Sequence, residues 1–305
     1  LPACCKARHI CGIRQEIFPD AGILFTHFFM MKTPFQWISA TALAVVLAFL
    51  SMPATAQHTL GFSVGLEKTE LLDQNTSVLP YKGFIPQAGL QWQHRSKHWQ
   101  SGFDLSVGRG HLQAVGHPGR SVVFLEEDIH GVRDTVRVPV VVPWTPVEAS
   151  FYLLRGLTAP DRDLRMSAGG MVSDQFFYSD GFVRPGLMHT ASVAPRFQLD
   201  YRPETGRMFF SAGITATLAA LVTRMRYDGT VSQPGGTRWN GFFGNTTLHG
   251  PDKHRRWTGF VQFGYQLTTH WQAAATYRFE RSHDALPRPL DLQRQKVSAT
   301  LSWTY

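Results

Sequence analysis

Three groupings in this chain set a carboxylate beside an imidazole: Asp252-Lys253-His254, Glu126-Glu127-Asp128-Ile129-His130 and His283-Asp284. Such groups do acid–base chemistry when acid and ring come within hydrogen-bond reach, because the ring can then take a proton from water. Asp252 and His254 form one candidate half of such a site. Glu126 and Asp128 are the acids that could stand opposite it. The competing reading is a solvated charged loop. A second cluster is basic: Arg224, Arg226, Arg238, Lys253, Arg255 and Arg256, with Trp239, Phe242 and Phe243 among them. Guanidinium and ammonium groups in that density suit phosphate recognition. No H-E-x-x-H or phosphate-binding loop occurs. The cysteines, Cys4, Cys5 and Cys11, have only His9 as a nearby fourth ligand, and their spacing fits no common zinc pattern. No cofactor and no metal is expected, and the reading is not an enzyme unless the weak Asp252–His254 pair assembles.

These residues do chemistry only where secondary structure holds them, and the elements are strands. From Val297 to Tyr305 every odd residue is apolar (Val297, Ala299, Leu301, Trp303, Tyr305) and every even one from Lys296 to Thr304 is polar. A period of two gives a strand with one greasy and one wet face. The same alternation runs through Thr59–Leu66, Gly83–His94, Trp99–Gly108, Val193–Tyr201, Met208–Ala220, Trp257–Leu267 and Trp271–Glu280. Short turns (95–98, 158–163, 202–207, 268–270) alternate with long connections at 67–82, 110–135, 174–188, 222–255 and 281–291. Trp92, Trp99, Tyr201, Phe210, Tyr265, Trp271, Trp303 and Tyr305 gather beside the short turns, as an interfacial aromatic girdle would. The pattern predicts an all-β, transmembrane, antiparallel up-and-down barrel of about ten strands. Twelve is the alternative, if the hairpin Ser121–Glu127/Val132–Val142 joins the wall. A parity shift near Pro146 suggests a bulge or a break.

The N-terminal part reads as targeting sequence. Lys32, the apolar run Ala40–Leu50 and Ala54-Thr55-Ala56 form a secretory signal peptide over 30–56, with 1–29 an upstream extension. Residues 57–305 are then the barrel. They hold no cysteine and carry a positive balance within the whole-chain net charge of +8.

Signal peptide, strand alternation and aromatic C-terminus together resemble the bacterial outer-membrane β-barrel proteins, including the PorT-like group of small barrels, to which Thr135–Trp144 is loosely similar. The resemblance implies integral location in the cell outer membrane after export through the periplasm. It implies that Trp303 and Tyr305 form the signal read by the barrel-assembly machinery. Asp252-x-His254 is similar to the Asp-x-His element of the omptin proteases, which implies a rim protease as one functional alternative. A lumen this narrow is filled by side chains. Its inward residues include Asp104, Arg196, Asp200, Arg278, Glu280 and Lys296, which are expected to pair into a plugging network. A narrow channel or a small-ligand transporter is the other alternative. The basic cluster Arg224–Arg256 is expected to face outward and hold lipopolysaccharide phosphates, or else an extracellular protein or glycan. Nucleic acid is not an expected partner, since an outer-membrane barrel rarely meets any.

Overall fold

In the computed structural model the last strand, Leu290–Thr304, pairs antiparallel with the strand before it and with the first strand, Gln57–Asp73. Among the described residues that pairing closes the wall into a cylinder. The structure describes residues 57–305 apart from 76, 78, 118, 120, 128–132, 140, 160–161, 180–185, 204–205 and 225–241. The signal peptide and the extension read into 1–56 lie outside the described residues.

The strands are β1 (Gln57–Asp73), β2 (Tyr81–Arg95), β3 (Trp99–Gly108), β4 (Gly110–Ala114), β5 (Ser121–Glu127), β6 (Arg133–Pro139), β7 (Val141–Gly156), β8 (Leu164–Ser179), β9 (Gly186–Tyr201), β10 (Met208–Ala216), β11 (Ala219–Arg224), β12 (Thr247–His249), β13 (His254–Gln266), β14 (Trp271–Asp284) and β15 (Leu290–Thr304). β4 continues the line of β3, and β11 that of β10, so the wall has ten positions. β5 and β6 pair only with each other, from Ser121↔Pro139 to Glu127↔Arg133, and form a separate hairpin. The hairpin therefore extends the β4–β7 connection and adds no wall strand, which decides for ten over twelve.

The wall is inside out relative to a soluble fold. Leu60, Phe62, Val64 and Leu66 of β1 stay about half exposed, whereas Ser63 and Glu67 on the other face are buried. The same holds on β15, where Val297, Leu301 and Trp303 face out and Ser298, Thr300 and Ser302 face in. Apolar groups presented outward around a closed wall are stable only against lipid, since in water they would lose the burial that stabilises them. Trp99, Tyr201, Tyr265, Trp271, Trp303 and Tyr305 are all exposed beside the short turns. They mark the interfacial girdle at that end. The chain has the architecture of an integral outer-membrane β-barrel.

Several expected loops are strand. β1 runs on to Asp73, β2 starts at Tyr81, β11 reaches Arg224 and β13 begins at His254. The parity shift near Pro146 is neither bulge nor break, because β7 pairs without interruption with β8 from Thr145↔Tyr178 to Gly156↔Ser167. The apolar residues change sides instead. Phe151 and Leu153 face lipid, but Val142 and Trp144 are buried in the lumen. β1 does the same: beyond Leu66 the outward pair Lys68–Glu70 is an exposed ion pair at 2.6 Å, and Leu71 packs inward. Past the lipid, the outside meets water and the inside must be closed, so the amphipathic pattern reverses. Met208–Ala220, expected as one strand, is broken at Thr217-Leu218, where the wall hydrogen bonds pass to Arg256 and Val193.

Close packing leaves little slack inside. A Cβ on Gly102 would stand 2.4 Å from the ring of Tyr152, which is fully buried. Gly102→Val is expected to destabilise the barrel by about 1–3 kcal/mol through overpacking. A lowered urea midpoint of the folded, heat-modifiable form would register this.

Candidate functional site

The lumen is built in three levels. The middle level is a charged layer. Arg294 of β15 donates from Nε and Nη2 to the two oxygens of Glu67 on β1, at 2.8 and 2.7 Å. Its Nη1 reaches Glu148 of β7 at 3.3 Å and Glu280 of β14 at 3.4 Å. Arg256 of β13 donates to the same two carboxylates at 3.0 Å each, and to Ser173 at 2.8 Å. Arg278 adds a 2.6 Å bond to Glu148. Gln87 and Thr69 complete Glu67, at 2.6 and 2.8 Å, and Gln175 donates to Glu280 at 3.1 Å. Glu67, Glu148 and Glu280 are all buried. Each carboxylate is held by guanidinium forks, which is the geometry that offsets the desolvation of buried charge. Every oxygen of these three carboxylates accepts at least one hydrogen bond.

Above it lies an apolar layer: Tyr81, Ile85, Leu112, Val142, Trp144, Phe177, Met188, Leu290 and Leu292 pack together inside the wall. Trp144 stacks on Phe177 with ring centres 5.2 Å apart, and Arg294 lies over the same Phe177 ring at 5.3 Å. At the outer rim Arg224 donates to the carbonyls of Leu286 and Arg288, at 2.8 and 2.7 Å, and pairs with Asp73. Arg224 also approaches Asp284 at 3.6 Å. His249 Nδ1 lies 2.9 Å from Asp284, and its Nε2 lies 2.8 Å from the Thr247 hydroxyl. These contacts bind the ends of β1, β11, β12 and β14 to one another.

The lowest level, beside the short turns, is a polar cavity of about 60 Å³ that opens at the mouth. Glutamine amides and Arg95, Arg196 and Arg202 line it.

The basic cluster is divided by the wall. Arg224 and Arg256 point into the lumen and are buried, so they cannot hold lipopolysaccharide on the outside. The reason is parity: Arg256 lies one residue from outward Trp257, and β11 and β13 both extend further than the alternation alone suggested. Lys253 and Arg255 are exposed at the rim. Arg226 and Arg238 lie outside the described residues. Asp252 is exposed on the turn before β13, whereas His254 faces inward, buried, with neither ring nitrogen hydrogen-bonded. The acid directly across from His254 is Asp284. Glu126 sits on the hairpin strand β5, paired with Asp134, and Asp128 lies outside the described residues. Arg278 and Glu280 belong to the middle layer. Asp104 and Lys296 stand near it, sharing electrostatic contact with Glu148. Arg196 and Asp200 belong to the mouth, where Asp200 accepts from Gln198 at 3.0 Å and Ser211 at 2.6 Å. Glu67, Glu148 and Arg294 went unread in the sequence. Continuing the inward parity of β1, β7 and β15 past the lipid band would have found them.

No protein-family model and no curated protein matches the sequence. Among solved structures the chain is similar to the outer membrane protease OmpT from Escherichia coli, with 12% identity and TM-score 0.45 over 82% of this chain and 96% of that one. It is similar also to the translocator domain of autotransporter NalP from Neisseria meningitidis, with 11% identity and TM-score 0.36 over 87% and 94%. Neisserial surface protein A is a third, with 10% identity and TM-score 0.30 over 80% and 96%.

Proposed function

We propose that this chain is an outer-membrane barrel of structural or interaction type, with a closed lumen and its loops turned outward. One observation carries the reading: a salt-bridged layer and an apolar layer lie across the lumen in series. Ions crossing the first would have to replace the guanidinium–carboxylate contacts of Glu67, Glu148 and Glu280. The second offers them no polar partner. Exposed Lys253 and Arg255 give the rim a cationic edge suited to lipopolysaccharide phosphates. The loose similarity of Thr135–Trp144 to the PorT-like group accords with a small barrel without a reaction of its own. In planar lipid bilayers the purified barrel is expected to give no conductance steps. Stable steps from the wild-type protein would replace this reading with the narrow channel.

A second reading, a hydrolase at the outer rim, is supported by the hydroxyl–imidazole–carboxylate chain Thr247, His249, Asp284. Here His249 would take the proton of Thr247 and Asp284 would hold the ring. The omptin-like alternative draws on Asp252 and His254 instead. Hydrolysis of p-nitrophenyl butyrate that is lost in Thr247→Val but kept in Asp252→Ala would favour the first of these pairs. Equal rates in wild type and both variants, at the level of buffer alone, would remove the hydrolase.

A further inference from the structure

The two charged levels of the lumen are provisioned very differently. In the middle layer every guanidinium has at least two carboxylates within ion-pair distance. At the mouth stand Arg95, Arg165, Arg196 and Arg202, and none of them forms an ion pair with a carboxylate among the described residues. Asp200, the acid of that level, is taken up by neutral donors, Gln198 and Ser211. Asp104, deeper in the wall, interacts with Arg196 only at longer range.

Arg165 and Arg196 are buried, Arg202 is half-buried, and all three are incompletely bonded. Arg165 is 5% exposed, and its Nη1 donates to the carbonyl of Ser96 at 3.3 Å while Nε and Nη2 find no acceptor. Arg196 is 9% exposed. Its Nη2 donates to Gln198 at 2.9 Å, it lies 3.9 Å over the Tyr152 ring, and its Nε is unpaired. Arg202 lies over Phe209 at 4.7 Å and also leaves Nε unpaired. Arg95 and Asp200 both act electrostatically on Arg165 and Arg202. Arg202 sits in the turn after β9, and burial, then Arg95, bring its guanidinium down to about 10. Arg95, Arg196 and Arg202 line one cavity together with Asp200, and Gln93, Gln262 and Gln272 offer amide donors around it. Unsatisfied buried donors cost free energy and clustered cations repel one another, so with Asp200 as its one lining carboxylate the site keeps an excess of positive charge.

We propose that the mouth of the barrel beside the short turns is a binding site for a small soluble oxyanion, of the phosphate or carboxylate class, held by Arg196 and Arg202 and steered in by Arg95 and Arg165. The cavity of about 60 Å³ suits a group of that size and not an extended chain. Guanidinium forks recognise such groups bidentately, and the glutamine amides can add neutral hydrogen bonds. The site lies below the closed layers, so it binds without conducting and does not depend on the lumen's being shut.

The test is titration calorimetry of the full barrel in neutral detergent, with inorganic phosphate replacing chloride at constant ionic strength. Wild type is expected to give a saturable isotherm. Because a hydrogen bond to a charged group is worth enough to move an equilibrium about tenfold, Arg196→Gln and Arg202→Gln should each weaken binding by about that factor. Lys68→Gln, exposed on the outer face of β1, should bind like wild type. Each variant is first shown to keep the heat-modifiable band. If Arg196→Gln fails to fold, Arg95→Gln at the same cavity, expected to slow association and weaken binding, is read in its place. A non-saturable isotherm for wild type overturns the proposal, as do folded arginine variants that bind phosphate like wild type. Binding lost equally in Lys68→Gln would also overturn it, since that shows net charge and not the cavity at work.

Discussion

Arg294→Ala is expected to cost the barrel about 3–5 kcal/mol, because it removes one partner of a buried ion network and leaves the other charges behind. Glu67 suffers most: Arg294 supplies its ion pair, through both oxygens. Glu148 and Glu280 keep Arg256 and Arg278 but lose their third cation. Against a net stability of about 5–15 kcal/mol this is a large fraction. Lysine should not restore it, since an ammonium cannot make the two parallel bonds of the fork. The double variant Arg294→Met with Glu67→Gln should recover much of the loss, because it leaves no uncompensated charge. Urea titration of the folded band in detergent micelles or liposomes checks all three. If Arg294→Ala unfolds at the wild-type midpoint, or the double variant is worse than the single, the layer is not held by this pair.

The second large effect is on the outer face. Val64 points outward, about half exposed, and lies level with Ala88 and Ala299 on the flanking strands. Val64→Arg should cost about 2–4 kcal/mol if that face sits near the middle of a bilayer. Lys68→Ala, four residues further along the same face, should change stability little, because its ion pair with Glu70 is exposed to water. The contrast matters more than either number. On the surface of a soluble protein a single arginine is nearly neutral, so equal and small effects at 64 and 68 would remove the lipid from the argument.

The strand pattern was legible where the wall faces lipid, because lipid demands an apolar outside and a narrow lumen accepts small polar residues. Leu60–Leu66 and Val297–Trp303 announce themselves for that reason. The pattern became unreadable where the wall rises above the lipid, since Trp144, Leu290 and Leu292 turn apolar side chains inward. A reader following one parity stops there and writes a loop. Glu67, Arg224 and Arg256 fell into such loops, so the charged layer was only half seen, through Arg278 and Glu280. The mouth is harder still. Arg196 and Asp200 lie two strand repeats apart and look like partners, but the fold spends Asp200 on Gln198 and Ser211. Nothing in the spacing reveals that choice, because the competing donors come from neighbouring side chains that only the register brings together.

The seam between β1 and β15 is the feature on which the whole account depends. It ends at Trp303 and Tyr305, where Trp303 stands level with Leu60 and Trp271, and Tyr305 exchanges backbone hydrogen bonds with His58 at 3.2 and 2.9 Å. The most direct measurement is migration of the membrane fraction on a denaturing gel, unheated and boiled, for wild type and for a deletion of Trp303-Thr304-Tyr305. A closed barrel predicts a distinct folded band in unheated wild type, lost on boiling and absent or much reduced in the deletion. Identical migration of unheated and boiled wild type would contradict the closed membrane barrel, and a deletion that kept the full folded band would contradict the role given to the seam.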